Sequence, residues 1–165
     1  MNEWRKATRI GVIGGRTADN KTLEAAKQVG ELIARAGAVL VCGGLGGVMA
    51  AAASGARKAG GLTVGILPGN EPGEANIHID VPIATGLGYT RNSLVAMNSD
   101  ALIAINGGYG TLSEIAYGNI YDKPVIGLGT WNIDGVIVAG SPDKAVELAL
   151  QAVKGAGKSG PLSRD

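Results

Sequence analysis

The residues best placed to do chemistry form one run, Asn106-Gly107-Gly108-Tyr109-Gly110-Thr111-Leu112-Ser113-Glu114. It leaves an apolar, strand-like stretch and leads directly into a helical one. Unpaired backbone N–H groups and the helix dipole make such a corner a site for an anion. The glycines let an oxyanion come close to the backbone, and Thr111 adds a hydroxyl donor. Thr111 and Glu114 also have the spacing of a capping box, so a generic helix start explains those two. It does not explain three glycines in the four positions before Thr111.

Two more glycine clusters follow apolar runs, Gly14-Gly15 and Gly43-Gly44-Leu45-Gly46-Gly47. The second either forms another wall of the same pocket or makes a tight strand-to-helix turn. Arg91 comes just after Gly86-Leu87-Gly88, early in a helical stretch. A guanidinium there pairs with a phosphate or with Glu114. A solvated or structural arginine fits the spacing equally well.

Other chemistries fit poorly. Gly11-Val12-Ile13-Gly14-Gly15 is not G-x-G-x-x-G, and the second strand ends in Val41-Cys42-Gly43. A dinucleotide site places an acid there for the ribose, so NAD and FAD are disfavoured. Ala152 to Ser159 closes on Gly157-Lys158-Ser159, as a Walker A loop does. It follows a helix and precedes Pro161, whereas a working loop joins strand to helix, so the match reads as chance. His78 and Cys42 are the only histidine and cysteine, too few for a metal cluster or an intrachain disulfide. Cys42 reads as a buried small residue, His78 as a loop residue, and no Ser-His-Asp arrangement is indicated.

The elements that must position these residues alternate. Apolar runs at Thr8 to Ile13, Ala38 to Cys42, Leu62 to Leu67, Ala101 to Ile105 and Pro124 to Leu128 read as strands. Asp80 to Ala84, interrupted by Pro82, is a weak strand, and Gly135 to Ala139 a short last one. Helices are expected from Asp19-Asn20 to Ala36 with Gly37 as stop, Val48 to Lys58, Tyr89 to Asn98, Leu112 to Asn119, and Pro142 to Lys154 with Ser141 as cap. Residues 70–79 read as a loop. Strands that are apolar without alternation suit a parallel sheet covered on both faces. The expected fold is doubly wound α/β, a mainly parallel, Rossmann-like sheet in three layers. Its ligands bind beyond the carboxyl ends of the strands, where the glycine clusters named above fall.

The chain has 165 residues and 28 glycines, well above the usual ~7%. Residues 1–154 are expected to form one domain and 155–165 a loose tail. The formal charge of +1 gives no nucleic-acid footprint. No run is long enough to span a bilayer, and Met1 to Lys6 lacks the apolar core of a signal peptide. A cytoplasmic protein is expected.

Taken together, Arg91-Asn92, Ser99-Asp100-Ala101, Gly107-Gly108-Tyr109-Gly110-Thr111 with Glu114, and Lys123-Pro124-Val125 resemble the LOG superfamily. The Gly43 to Gly47 loop fits the same pattern, and the resemblance runs from about Arg9 to Ala149. Its cytokinin-activating phosphoribohydrolases, often mislabelled lysine decarboxylases, cleave the N-glycosidic bond of a nucleoside monophosphate. The resemblance implies a Rossmann-like dimer or dimer of dimers with phosphate on the glycine loop, and catalytic roles for Arg91 and Glu114. The plant-type enzymes read Arg-Lys and Pro-Gly-Gly where this chain has Arg91-Asn92 and Asn106-Gly107-Gly108. Both departures resemble a sister group that includes molybdenum cofactor carrier proteins, which bind a phosphorylated pterin without processing it. The resemblance implies no required cofactor, with molybdenum cofactor as cargo. Two expectations stand side by side: a carrier or sensor of a phosphorylated, nucleotide-like ligand, and a phosphoribohydrolase. No lysine sits in a recognisable pyridoxal phosphate setting.

Overall fold

A computed structural model describes residues 6–156. The strands are β1 (Arg9–Gly14), β2 (Val39–Cys42), β3 (Thr63–Leu67), β4 (Val81–Ala84), β5 (Ala101–Ile105), β6 (Val125–Leu128) and β7 (Val136–Val138). The helices are α1 (Asn20–Arg35), α2 (Val48–Lys58), α3 (Asn92–Met97), α4 (Tyr109–Ile120) and α5 (Pro142–Ala156). All seven strands pair in parallel in the order β4-β3-β2-β1-β5-β6-β7. Residues of α1, α2 and α5 share one buried cluster and those of α3 and α4 another. This is the expected three-layer, Rossmann-like sheet.

Local signals account for most element ends. The Asp19 carboxylate accepts from the Thr22 N–H at 2.7 Å and caps α1. The Ser141 hydroxyl accepts from the Lys144 N–H at 3.2 Å and caps α5. Pro82 lies within β4, an edge strand, where a missing N–H costs no interior ladder bond. Helix α5 runs past the expected end at Lys154 to Ala156; the rest of the expected tail and the Walker-like Gly157-Lys158-Ser159 lie outside the described residues. The helix expected from Tyr89 begins instead as a 3-10 turn, Gly88–Arg91, and becomes α-helical only at Asn92. Among the described residues no helix is long and apolar enough to cross a membrane.

Two contacts set the geometry on which the site depends. Arg9 grips Asp100 through its backbone N–H and Nη2, each at 2.8 Å. That clamp fixes the starts of β1 and β5, and the register then places Gly14 beside Ile105. The strand order reverses between β1 and β5, so their two following turns flank the switch-point crevice. Behind it, α1 and α2 touch backbone to backbone. A β-carbon on Gly30 would lie 1.9 Å from the Ala52 carbonyl oxygen, and one on Gly55 1.9 Å from that of Lys27.

Candidate functional site

A cavity of about 220 Å³ opens at this crevice. The turn after β1 supplies Gly14, Gly15 and Arg16; α4 and its entry supply Gly108, Gly110, Thr111 and Glu114. The segment after β4 adds Gly88, Tyr89, Arg91 and Asn92, and Met49 and Pro68 complete the wall. Arg16, Met49, Pro68 and Tyr89 have no special sequence signal of their own, and Asn92 is marked only beside Arg91 in the family resemblance. Arg16 and Pro68 lie just beyond the ends of β1 and β3, whereas Met49, Tyr89 and Asn92 sit at or near helix starts.

The run from Asn106 differs from a capping box. Helix α4 starts at Tyr109 with Gly108 as its N-cap, and no side chain caps its first turn. Thr111 and Glu114 therefore lie inside the helix, both buried, because tertiary packing draws them to its inner face. Asn106 and Gly107 have φ of 49° and 100°. Proline, fixed near −65°, cannot take the first of these, which is a backbone reason for asparagine at 106. Gly107 leaves room for Thr111, whose Oγ1 would lie 2.2 Å from an added β-carbon. Tyr109 points outward, 83% exposed, and meets the Trp131 ring at 5.8 Å. Trp131 Nε1 donates to the Gly108 carbonyl at 3.2 Å, and the Thr130 hydroxyl to the Asn106 carbonyl at 2.6 Å. Asn106, Gly107 and Tyr109 thus shape the turn without lining the cavity.

The Gly43 to Gly47 cluster also stands behind the lining. Gly47, with φ 63°, packs on the β1 turn, where a β-carbon would meet the Gly15 carbonyl oxygen at 2.3 Å. Gly44, with φ 76°, accepts from the Asn76 N–H at 2.9 Å, which ties the 70–79 loop to this cluster. Gly46 is exposed, and a β-carbon there would lie 3.5 Å from the Arg16 carbonyl oxygen. Gly43 makes room for a side chain: a β-carbon there would lie 2.7 Å from Arg91 Nη2 and 2.8 Å from Nη1.

Arg91 is turned inward. Nη1 donates to Asn92 Oδ1 at 2.5 Å, and Nη2 to the Gly43 carbonyl at 3.3 Å. Nη1 also lies 3.7 Å from Glu114 Oε1, an ion pair with both side chains almost wholly buried at the cavity wall. Asn92 reaches on to Ser113 Oγ at 3.0 Å, tying α3 to α4. The Arg91 Nε–H is buried and has no acceptor among the described residues. Burial pushes the Glu114 carboxyl up to about 8, against the pull of Arg91. Burial likewise lowers Arg91 and raises the Cys42 thiol to about 12, so Cys42 is an inert core residue. His78 lies in a turn away from the cavity, its carbonyl accepting from Thr63 Oγ1 at 2.6 Å.

The model of the SLOG cluster4 family matches residues 7–155. The chain is 38% identical over 125 residues to the cytokinin riboside 5'-monophosphate phosphoribohydrolase of Mycobacterium tuberculosis, across 69% of this chain and 66% of that one. It superposes on the molybdenum cofactor binding protein of Rippkaea orientalis with a TM-score of 0.84 and 39% identity, over 88% of this chain and 97% of that one. The Moco carrier protein of Chlamydomonas reinhardtii matches with a TM-score of 0.83 and 36% identity, over 91% and 99%.

Proposed function

The chain belongs to the SLOG cluster4 family, in the LOG superfamily close to the molybdenum cofactor carriers, and from that premise we propose that it binds a phosphorylated, nucleotide-like molecule in the switch-point cavity, as a carrier or sensor. The observation that carries this reading is the buried Nε–H of Arg91, a charged donor lacking an acceptor beside the cavity. An orphaned buried donor is costly, and an oxyanion would satisfy it. The uncapped start of α4 lines the same cavity and offers free N–H groups to the same charge. A phosphorylated pterin of the molybdenum cofactor type is the cargo that the carrier relatives suggest.

Holding rather than cleaving is favoured by the acid–base inventory. Glu114 is the one carboxylate among the described residues that line the cavity, so a single group would have to serve any proton transfer. Burial works against its ionised form, the form that would offset the positive charge of an oxocarbenium-like transition state. The second reading, a nucleoside 5'-monophosphate phosphoribohydrolase, draws on Arg91. That cation opposes the neutralisation of Glu114 and would hold it ionised beside an anomeric carbon.

Incubation with AMP and other nucleoside monophosphates, assayed for free base and ribose 5-phosphate, separates the two. The carrier reading predicts no release, together with a rise in melting temperature on ligand addition. Release that vanishes in Glu114→Gln would establish the hydrolase instead. A homodimer or dimer of dimers in the cytoplasm belongs to the same proposal. Val39, Val41, Val64, Ile66 and Ile83 line an apolar hollow of about 190 Å³ on the sheet, which supports self-association.

A further inference from the structure

Four side chains in the cavity lining can ionise: Arg16, Tyr89, Arg91 and Glu114. Arg91 and Glu114 oppose each other's charge, and both Nη atoms of Arg91 are already committed, to Asn92 and to Gly43. The remaining cation is Arg16, which the reading above leaves unused. It is exposed and forms no ion pair among the described residues. Its guanidinium carbon instead lies 6.0 Å from the centre of the Tyr89 ring, at the limit of a cation–π contact. Tyr89 is itself 77% exposed. Arg16 follows β1 and Tyr89 follows β4, three strand spacings away in the sheet, about 14 Å. The two side chains therefore meet across the cavity from separate rims.

We propose that Arg16 is the residue that pairs with the ligand's phosphate charge, leaving Tyr89 to do so, and that it makes the cavity selective for phosphorylated molecules. This rests on the phosphate-binding reading given above. The physical case is a comparison of partners. An exposed cation–π contact at this distance is weak, whereas a guanidinium–phosphate pair is charge-assisted and can be bidentate. A phosphomonoester seated on the α4 turn would face Arg16 from the turn after β1, because Gly14 and Ile105 are paired neighbours. Arg16 is thus a specificity residue supplied by a turn that carries no phosphate-binding motif.

The test is calorimetric titration of the full chain with AMP and, separately, with inorganic phosphate, for the unaltered protein, Arg16→Ala and Arg16→Lys. Melting temperatures check that the variants remain folded, as the exposure of Arg16 predicts. Arg16→Ala is expected to weaken both ligands by about tenfold to a hundredfold, with Arg16→Lys recovering part of the loss. Unchanged affinity in Arg16→Ala would overturn the assignment and leave the phosphate site standing. A loss for AMP without one for phosphate would also overturn it, since Arg16 would then be acting on the rest of the ligand. If the unaltered protein binds neither probe, the phosphate-binding reading falls and this assignment falls with it.

Discussion

Glu114 Oε1 and Arg91 Nη1 face each other at 3.7 Å, with 7% and 6% of their side chains exposed. That is an ion-pair distance, too long for a hydrogen bond. Removing two charges from water is costly, and the attraction repays it only when the remaining polar atoms are satisfied. Here the Arg91 Nε–H is not. The Nε–H is therefore the group with which an incoming oxyanion would pair.

The pair has a pH signature. The Glu114 carboxyl rises from its ordinary 4.5 to about 8 in the fold, so the folded state binds that proton more tightly than the unfolded chain. Its contribution to stability is then complete below pH ~4.5, declines as pH rises towards 8, and is flat above. Glu114→Gln cannot titrate. Melting temperatures from pH 5 to 8.5 should show the variant gaining on the unaltered protein as pH rises. A difference independent of pH would show that Glu114 is already ionised throughout.

Gly43→Ala tests how the pair is held. The new methyl would fall 2.7 and 2.8 Å from the two Nη atoms and 2.8 Å from Met49 Sδ. The guanidinium must move and release the Gly43 carbonyl. Overpacking of this kind costs about 1–3 kcal/mol, and AMP affinity should fall at least about tenfold because Arg91 no longer presents Nε. Calorimetry and thermal melting of the variant give both numbers. Affinity preserved alongside lost stability would mean that Arg91 does not serve the ligand.

Gly30→Ala addresses the scaffold alone. The added methyl meets a backbone carbonyl at 1.9 Å in the contact between α1 and α2, where no side chain can rotate away. We expect a loss of about 1–3 kcal/mol or more, hence a melting point lower by several degrees. A melting point equal to that of the unaltered protein would contradict so close a helix approach.

The sheet was legible because its strands are short apolar runs with a glycine or proline at or within two residues of their ends, and because strands and helices alternate. Of the consecutive run Asn106 to Thr111, Gly108, Gly110 and Thr111 line the cavity, while Asn106, Gly107 and Tyr109 shape the turn around it. The site was not legible where partners are distant in sequence. The carbonyl that holds Arg91 belongs to Gly43, 48 residues earlier, and no local pattern announces that bond. Thr111 and Glu114 have capping-box spacing, yet tertiary packing starts α4 at Tyr109 and buries both. Likewise the Gly43 to Gly47 cluster reads as a pocket wall, but its glycines serve close contacts with Arg91 and with the β1 turn. Arg16 sits in a turn without periodicity or motif, so only the fold brings it to the cavity.

The most direct test of the phosphate site is Gly108→Val. Gly108 has φ −104° and ψ −150°, an extended conformation open to any residue, and a β-carbon there would have no heavy atom within 4 Å. The protein around Gly108 leaves room for valine, whereas a phosphate on the α4 turn would compete for the same space. Titration with AMP, with a melting curve as control, should give an unchanged melting temperature and an affinity lower by at least about tenfold. An intact fold that binds AMP as tightly as before would contradict the placement of the phosphate on this turn.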